Sequence, residues 1–272
     1  MNQFKTAIII SALLWFGLSS YAQKLPNVQK VSLRAPNNIK IDAKITEWGN
    51  QFQAYNHATD IFYTIANNDE NLYLIVQAKD PDVINKIVGG GISFIINKSN
   101  NKRDEISITY PINDGKNKPY FSLTPNKKNG FFEDASHRAI DSIKIHNNKI
   151  LEQKLKWIRT IGIEGMDNMI SVYNNDGINA LGLFDDKRVY TVEMAIKLKY
   201  LRLSIDKPTS FTYHIILNGS NALDMGFTPM PDNSSTAERD AIIAGYFAKM
   251  ENNSNKLAAP TSFWGVYTLA KK

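Results

Sequence analysis

The chain contains no cysteine. That absence excludes disulfide staples, cysteine-held metals, a thiol nucleophile and lipidation at an amino-terminal cysteine, so the fold has to rest on its core. Histidine is scarce too. The four copies, His57, His137, His146 and His214, show no zinc spacing, and neither HExxH nor a GxSxG elbow occurs. Charge of one sign is nowhere concentrated; the one basic block is "NKKNG", which argues against nucleic acid as a partner. Long hydrophobic runs are missing as well, except "AIIISALLWFGL" near the start, which is too short and wrongly flanked to span a membrane. No internal repeat and no shift in composition divides the chain.

What is present begins with that apolar run. It follows Lys5 and leads into "SSYAQ", with small residues at Ser20 and Ala22, the pattern of a cleaved secretory signal over residues 1–22. The expected product is exported, to the periplasm or outside the cell, with no lipid anchor and no membrane span after cleavage. Without Lys5 the 32 basic residues become 31 against 26 acidic ones, a net charge of +5. An exported chain without cysteine fits a Gram-negative cell envelope better than a disulfide-stapled secreted module.

Period two dominates the rest. "DIFYTIA", "NLYLIVQAKD", "GISFIINK", "DEISITYPI", "RVYTVEMAIKL" and "FTYHIILNG" are strand candidates, rich in β-branched and aromatic residues. Asn67, Asn68 and Asp69, residues that tolerate left-handed turn conformations, join the first two as a hairpin. The spacing predicts an all-β fold, an antiparallel β-sandwich filling residues 27–272 as one domain. One α-helix is predicted towards the C-terminus, over 237–250. Ser235 and Glu238 form a capping box ahead of it, and Ile242, Ile243, Tyr246, Phe247 and Met250 share one face. A polar but aromatic-studded stretch, "NDGKNKPYFSLTPNKKNGFFEDASHR", reads as a long excursion from the sandwich.

Chemistry-bearing residues are few. Asp80 and Asp82 flank Pro81 in what reads as a loop, placed to offer carboxylates to a structural calcium ion. "NNDG", Asn174 to Gly177, lacks the distal glutamate of a calcium loop and reads as a hairpin turn. Asp185 and Asp186 are adjacent, so on a strand their side chains would diverge. Met194 and His214 lie on separate strands and read as core or surface residues rather than haem ligands. Trp157 lies in an alternating run and is expected to be buried. Nothing here points to an enzyme.

Several stretches, taken in order, resemble the family 9 carbohydrate-binding modules. "IKIDAKITEWGN" is similar to that family's opening strand, of the type I-x-I-D-G-x-x-x-E-W. "TDIFYTIANNDENLYLIVQAKDPDV" resembles its paired strands. "RVYTVEMAIKLKYLRL" resembles its Y-x-V-E-x-A-I-P strand with Lys197 in place of proline, and "FWGVYTLAKK" its final strand. The resemblance implies a β-sandwich of about ten strands in which Trp48 closes the core rather than forming a platform. Ile39, Ile41 and Ile45 around that ring suggest the same burial. It also implies glycan binding between two aromatic rings. Ile87 stands where one ring belongs, and Phe227 is nearest to the other. Tyr120, Phe121, Phe131 and Phe132 in the excursion either rebuild the platform or pack as a satellite core beneath that loop. The implied function is therefore non-catalytic carbohydrate binding. The alternative is a structural or protein-interaction sandwich of the envelope that has lost the sugar clamp.

Overall fold

The computed structural model describes residues 24–98, 105–113, 121, 127–128, 131–132, 137–219 and 257–272; between 127 and 140 it describes the backbone alone. In chain order the elements are β1 (Ala54–Asn56), β2 (Ile61–Asn67), β3 (Asn71–Ala78), α1 (Pro81–Gly90), β4 (Ile92–Asn97) and β5 (Ile106–Ile112). There follow β6 (Lys127–Lys128), β7 (Phe131–Phe132), α2 (His137–Lys154), β8 (Trp157–Ile161), β9 (Met169–Ser171) and β10 (Ile178–Phe184). The last three are β11 (Tyr190–Lys197), β12 (Ser210–Leu217) and β13 (Thr261–Thr268). The expected 237–250 helix and the 1–22 signal lie outside the described residues.

Two antiparallel sheets make the sandwich. The first runs β1-β2-β3-β11-β10, and the second β13-β12-β4-β5-β8-β9. All six stretches read as strands from their alternation are strands, because each supplies an apolar set to one face. Tyr63, Ile65, Leu74, Val76, Val192 and Met194 look inward from the first sheet, and Phe94, Ile108, Tyr213 and Ile215 from the second. Burying each such side chain stabilises the fold by about 1.5–3 kcal/mol. Between the sheets the Tyr63 and Tyr213 hydroxyls meet at 2.9 Å, and the Gln29 N–H donates to the Tyr63 hydroxyl at 2.9 Å.

Turn chemistry differs from expectation in two places. The β2–β3 hairpin forms, but none of Asn67, Asn68 and Asp69 takes a positive φ. Instead Asn68 Oδ1 accepts from the N–H groups of Glu70 and Asn71, at 2.9 and 2.7 Å. Asn67 turns inward, where its Oδ1 accepts from the Ala270 N–H and the Tyr267 hydroxyl, tying β2 to the end of β13. The "NNDG" turn joins β9 to β10, strands of different sheets, so it is a crossover rather than a hairpin. Asn174 braces it by donating to the carbonyls of Ser171 and Ile178.

Both helices correct the sequence reading. α1 begins at Asp80, whose Oδ1 accepts from the N–H groups of Asp82 and Val83 at 2.9 and 3.2 Å, with Pro81 at the first position. It ends at Gly91, whose φ of 79° suits glycine, and buries Ile84, Ile87 and Val88. α2 packs beside the edge strand β10. Asn148 donates to the Phe184 carbonyl and accepts from its N–H, which satisfies backbone groups that an edge strand leaves open. Lys144 of α2 pairs with Asp186 in the turn after β10, where Asp185 Oδ1 caps Lys187 and Val189. Among the described residues no helix is long and apolar enough to cross a membrane.

The two sheets differ on their outer faces. Residues 33–52 fold over the first sheet and bury a second, smaller core. Trp48 lies there with Ala66, Tyr73, Ile75 and Ala195, and Leu33, Ile39, Ile41, Ile45 and Phe52 pack against them. Trp48 is therefore a core lid, as expected, but over the outer face rather than between the sheets. Its segment consists of turns and bends and is not the strand that the pattern suggested. The second sheet has no such cover among the described residues.

Candidate binding face

Alternation along the six-stranded sheet decides which side chains reach the open face. On β13 the burial of Phe263 and Tyr267 towards the core sends Ser262, Trp264, Val266 and Thr268 outward. On β12 the outward set is Ser210, Thr212, His214 and Ile216. Register then sets neighbours. His214 lies opposite Trp264 on one side and Ile95 of β4 on the other. Ile95 lies opposite Ser107 of β5, and Ser107 opposite Ile161 of β8.

The centre of this face is a stacked pair. The Trp264 and His214 rings are 3.9 Å apart and 13° from parallel. His214 covers one side of the indole, yet Trp264 is 52 % exposed, so its other side and its rim meet solvent. Val266 (63 % exposed), Ile161, Met169 and Trp157 are further exposed apolar groups of the same face. Partial burial holds the His214 pKa below that of a free imidazole, with Glu105 pulling weakly the other way. The ring under Trp264 is therefore neutral at physiological pH. His214 Nε2 and Asn97 Oδ1 are both enclosed without a hydrogen-bond partner among the described residues. They sit at one corner of the face, since Asn97 lies opposite Thr212, two residues along β12 from His214. Buried polar atoms without partners are uncommon in folded proteins.

Room for this pair is made from below. A Cβ on Gly265 would come within 2.2 Å of the Tyr213 ring, so only glycine lets Tyr213 lie under β13 and reach the Tyr63 hydroxyl.

Other residues singled out by the sequence fall elsewhere. Phe227 and Tyr120 lie outside the described residues, and of Phe131 and Phe132 only the backbone is described, as β7 paired with β6. Phe121 packs into the main core, 5.6 Å from the Phe184 ring. Ile87 is buried in α1, turned away from any surface. Asp80 spends its carboxylate on the α1 cap, and Asp82 stands in the first helical turn. Among the described residues no group of three or more His, Asp or Glu is placed to hold a metal. Met194 faces the core while His214 faces outward from the other sheet. Trp157, expected inside, is 37 % exposed, because Ile158 and Thr160 take the inward positions of β8.

Among the described residues Glu193 is the one strongly perturbed carboxyl. Burial raises its pKa to about 7, against the pull of three donors: Trp48 Nε1 at 2.9 Å, the Ala43 N–H at 3.0 Å and the Asp42 N–H at 3.1 Å. The two backbone donors point the same way because Ala43 takes φ 57°, a left-handed turn that aims successive N–H groups at one anion. Ala43 stands where the resembling pattern has glycine. This carboxyl is enclosed under residues 42–48, not in a cleft, and its work is to hold the lid.

Sequence reasoning missed Trp264. The adjacent rings in "SFWGVY" carried the signal, because two neighbours on a strand cannot both face inward. Comparison with protein-family models and with curated proteins returns no match.

Proposed function

We propose that this chain is an exported, non-catalytic glycan-binding protein of the cell envelope, built on a sandwich that resembles the family 9 carbohydrate-binding modules. The observation that carries the reading is the half-exposed Trp264 held flat by His214 on an open sheet face. The apolar faces of pyranose rings stack on such a surface. Thr212, partly exposed beside it, offers a hydroxyl of the kind that fixes sugar hydroxyls. Support for export comes from the 1–22 pattern alone.

A second reading keeps the same face but gives it a protein partner from the envelope. The exposed aliphatic groups Val266 and Ile161 favour it, since patches of this kind often mark protein contacts. A glycan array probed with the mature chain and with Trp264→Ala separates the two. Binding that vanishes in the variant while its melting temperature holds supports the glycan reading. Silence across the array leaves the field to the protein partner.

A further inference from the structure

The outermost strands of a sheet present backbone N–H and C=O groups that pair readily with another chain, and natural folds blunt them. Among the described residues, three of the four sheet edges are blunted. β1 is three residues long, and its Tyr55 N–H donates to the Pro26 carbonyl at 3.0 Å. β9 is also three residues long. β10 lies beside α2, whose Asn148 takes both backbone groups of Phe184. β13 is different. It is eight residues long, reads TSFWGVYT without a charge or a proline, and pairs with β12 in unbroken register along its whole length.

The direction of its free backbone groups follows from its side chains. The Trp264 and His214 rings stack at 3.9 Å, and the Thr268 and Ser210 hydroxyls are 2.7 Å apart. Such close approach fits the narrow, non-hydrogen-bonded pairs of an antiparallel ladder, which turn their backbone groups away from the neighbouring strand. Ser262, Trp264, Val266 and Thr268 therefore aim N–H and C=O away from β12, and all four are exposed. Leu33 reaches β13 at the Tyr267 hydroxyl, a side chain, rather than at its backbone.

We propose that β13 pairs antiparallel with β13 of a second copy of this chain, about a twofold axis at Gly265, so that two six-stranded sheets become one. The strand is complementary to itself. In that register Trp264 lies opposite the second copy's Val266, and Ser262 opposite its Thr268. Apolar meets apolar, hydroxyl meets hydroxyl, and no like charges face each other. Four outward residues on each copy give about eight backbone hydrogen bonds. The contact is isologous, so it closes as a dimer and builds no fibre. It also brings both Trp264–His214 stacks onto a single outer face, whether that face takes a glycan or a protein.

The test is sedimentation velocity of the mature chain across the micromolar range. The native chain should shift from monomer to dimer as concentration rises. Val266→Lys, at an exposed position whose retained folding is checked by melting, should stay monomeric, because it sets an ammonium of each copy beside the axis. Register is read by cross-linking, which a chain without cysteine makes clean. An oxidised mixture of Ser262→Cys and Thr268→Cys chains should yield a disulfide-linked dimer that neither variant forms alone. A native chain that stays monomeric throughout overturns the pairing. So does a dimer that Val266→Lys leaves intact, or a mixture that gives no more cross-link than its separate components.

Discussion

The indole N–H of Trp48 donates to Glu193 Oε1 at 2.9 Å, across 145 positions of the chain. This bond joins the 33–52 lid to β11 of the five-stranded sheet, so ring packing and a buried carboxyl act at one place. Trp48→Ala should cost about 3–5 kcal/mol through the cavity it leaves, measured by urea unfolding. Trp48→Phe should keep most of the packing yet still lose stability, because Glu193 would be short of a donor. If Trp48→Ala folds normally and only a ligand is lost, the ring is no lid.

The same carboxyl predicts a pH dependence. Folded chains keep the Glu193 proton up to about pH 7, whereas an unfolded chain releases it near 4.5. Folded protein therefore binds more protons in that window, and this group's contribution falls as pH rises through it. The full loss is of the order of 3 kcal/mol. Melting curves from pH 4.5 to 8 should show the decline in the native chain and a flatter profile in Glu193→Gln. An equal slope in both would remove Glu193 as the cause.

Ala43 pays for its left-handed turn, a conformation that costs an L-residue roughly 1–2 kcal/mol. Ala43→Gly should raise stability by about 0.5–1 kcal/mol, after the extra freedom glycine has in the unfolded chain is subtracted. A lower melting temperature would mean that the turn is relaxed.

Asp80 caps α1, so Asp80→Ala should cost about 1 kcal/mol. The loss should be the same with calcium or with EGTA. A melting temperature of the native chain that drops in EGTA would support Asp80 and Asp82 as calcium ligands.

At Gly265 an added methyl meets the Tyr213 ring. Gly265→Ala should therefore destabilise by about 1–3 kcal/mol, since Tyr213 must shift and give up its bond to Tyr63. Tyr213→Phe in the same background should recover little, because the clash is with the ring as well as the hydroxyl.

The strands were legible because period two needs only a few residues to declare itself. The helices were not. In α2, Asn147 takes a fully buried place in the stripe between Ile143 and Leu151, where the 3.6-residue pattern calls for an apolar side chain. α1 is ten residues long and runs into Gly89 to Gly91, which reads as loop although Val83, Ile84, Ile87 and Val88 have helical spacing. Trp157 was assigned to the wrong side because parity on a strand is fixed by the facing sheet, not by the strand itself. The candidate site was half visible. Phe263 beside Trp264 guaranteed one outward ring, but its stacking partner His214 lies 50 positions earlier and meets it only through the β12–β13 register.

The placing of β13 has a consequence for the outer face of its sheet. It follows every other described strand in the chain, yet it carries Trp264 at the edge of its sheet, and Asn67 of β2 secures its far end. Until it docks, His214 has no ring above it and Tyr213 has no glycine under which to lie. The outer face that carries Trp264 is therefore complete only in chains where β13 has paired with β12, and a ligand taken through that ring would select chains with this pairing made.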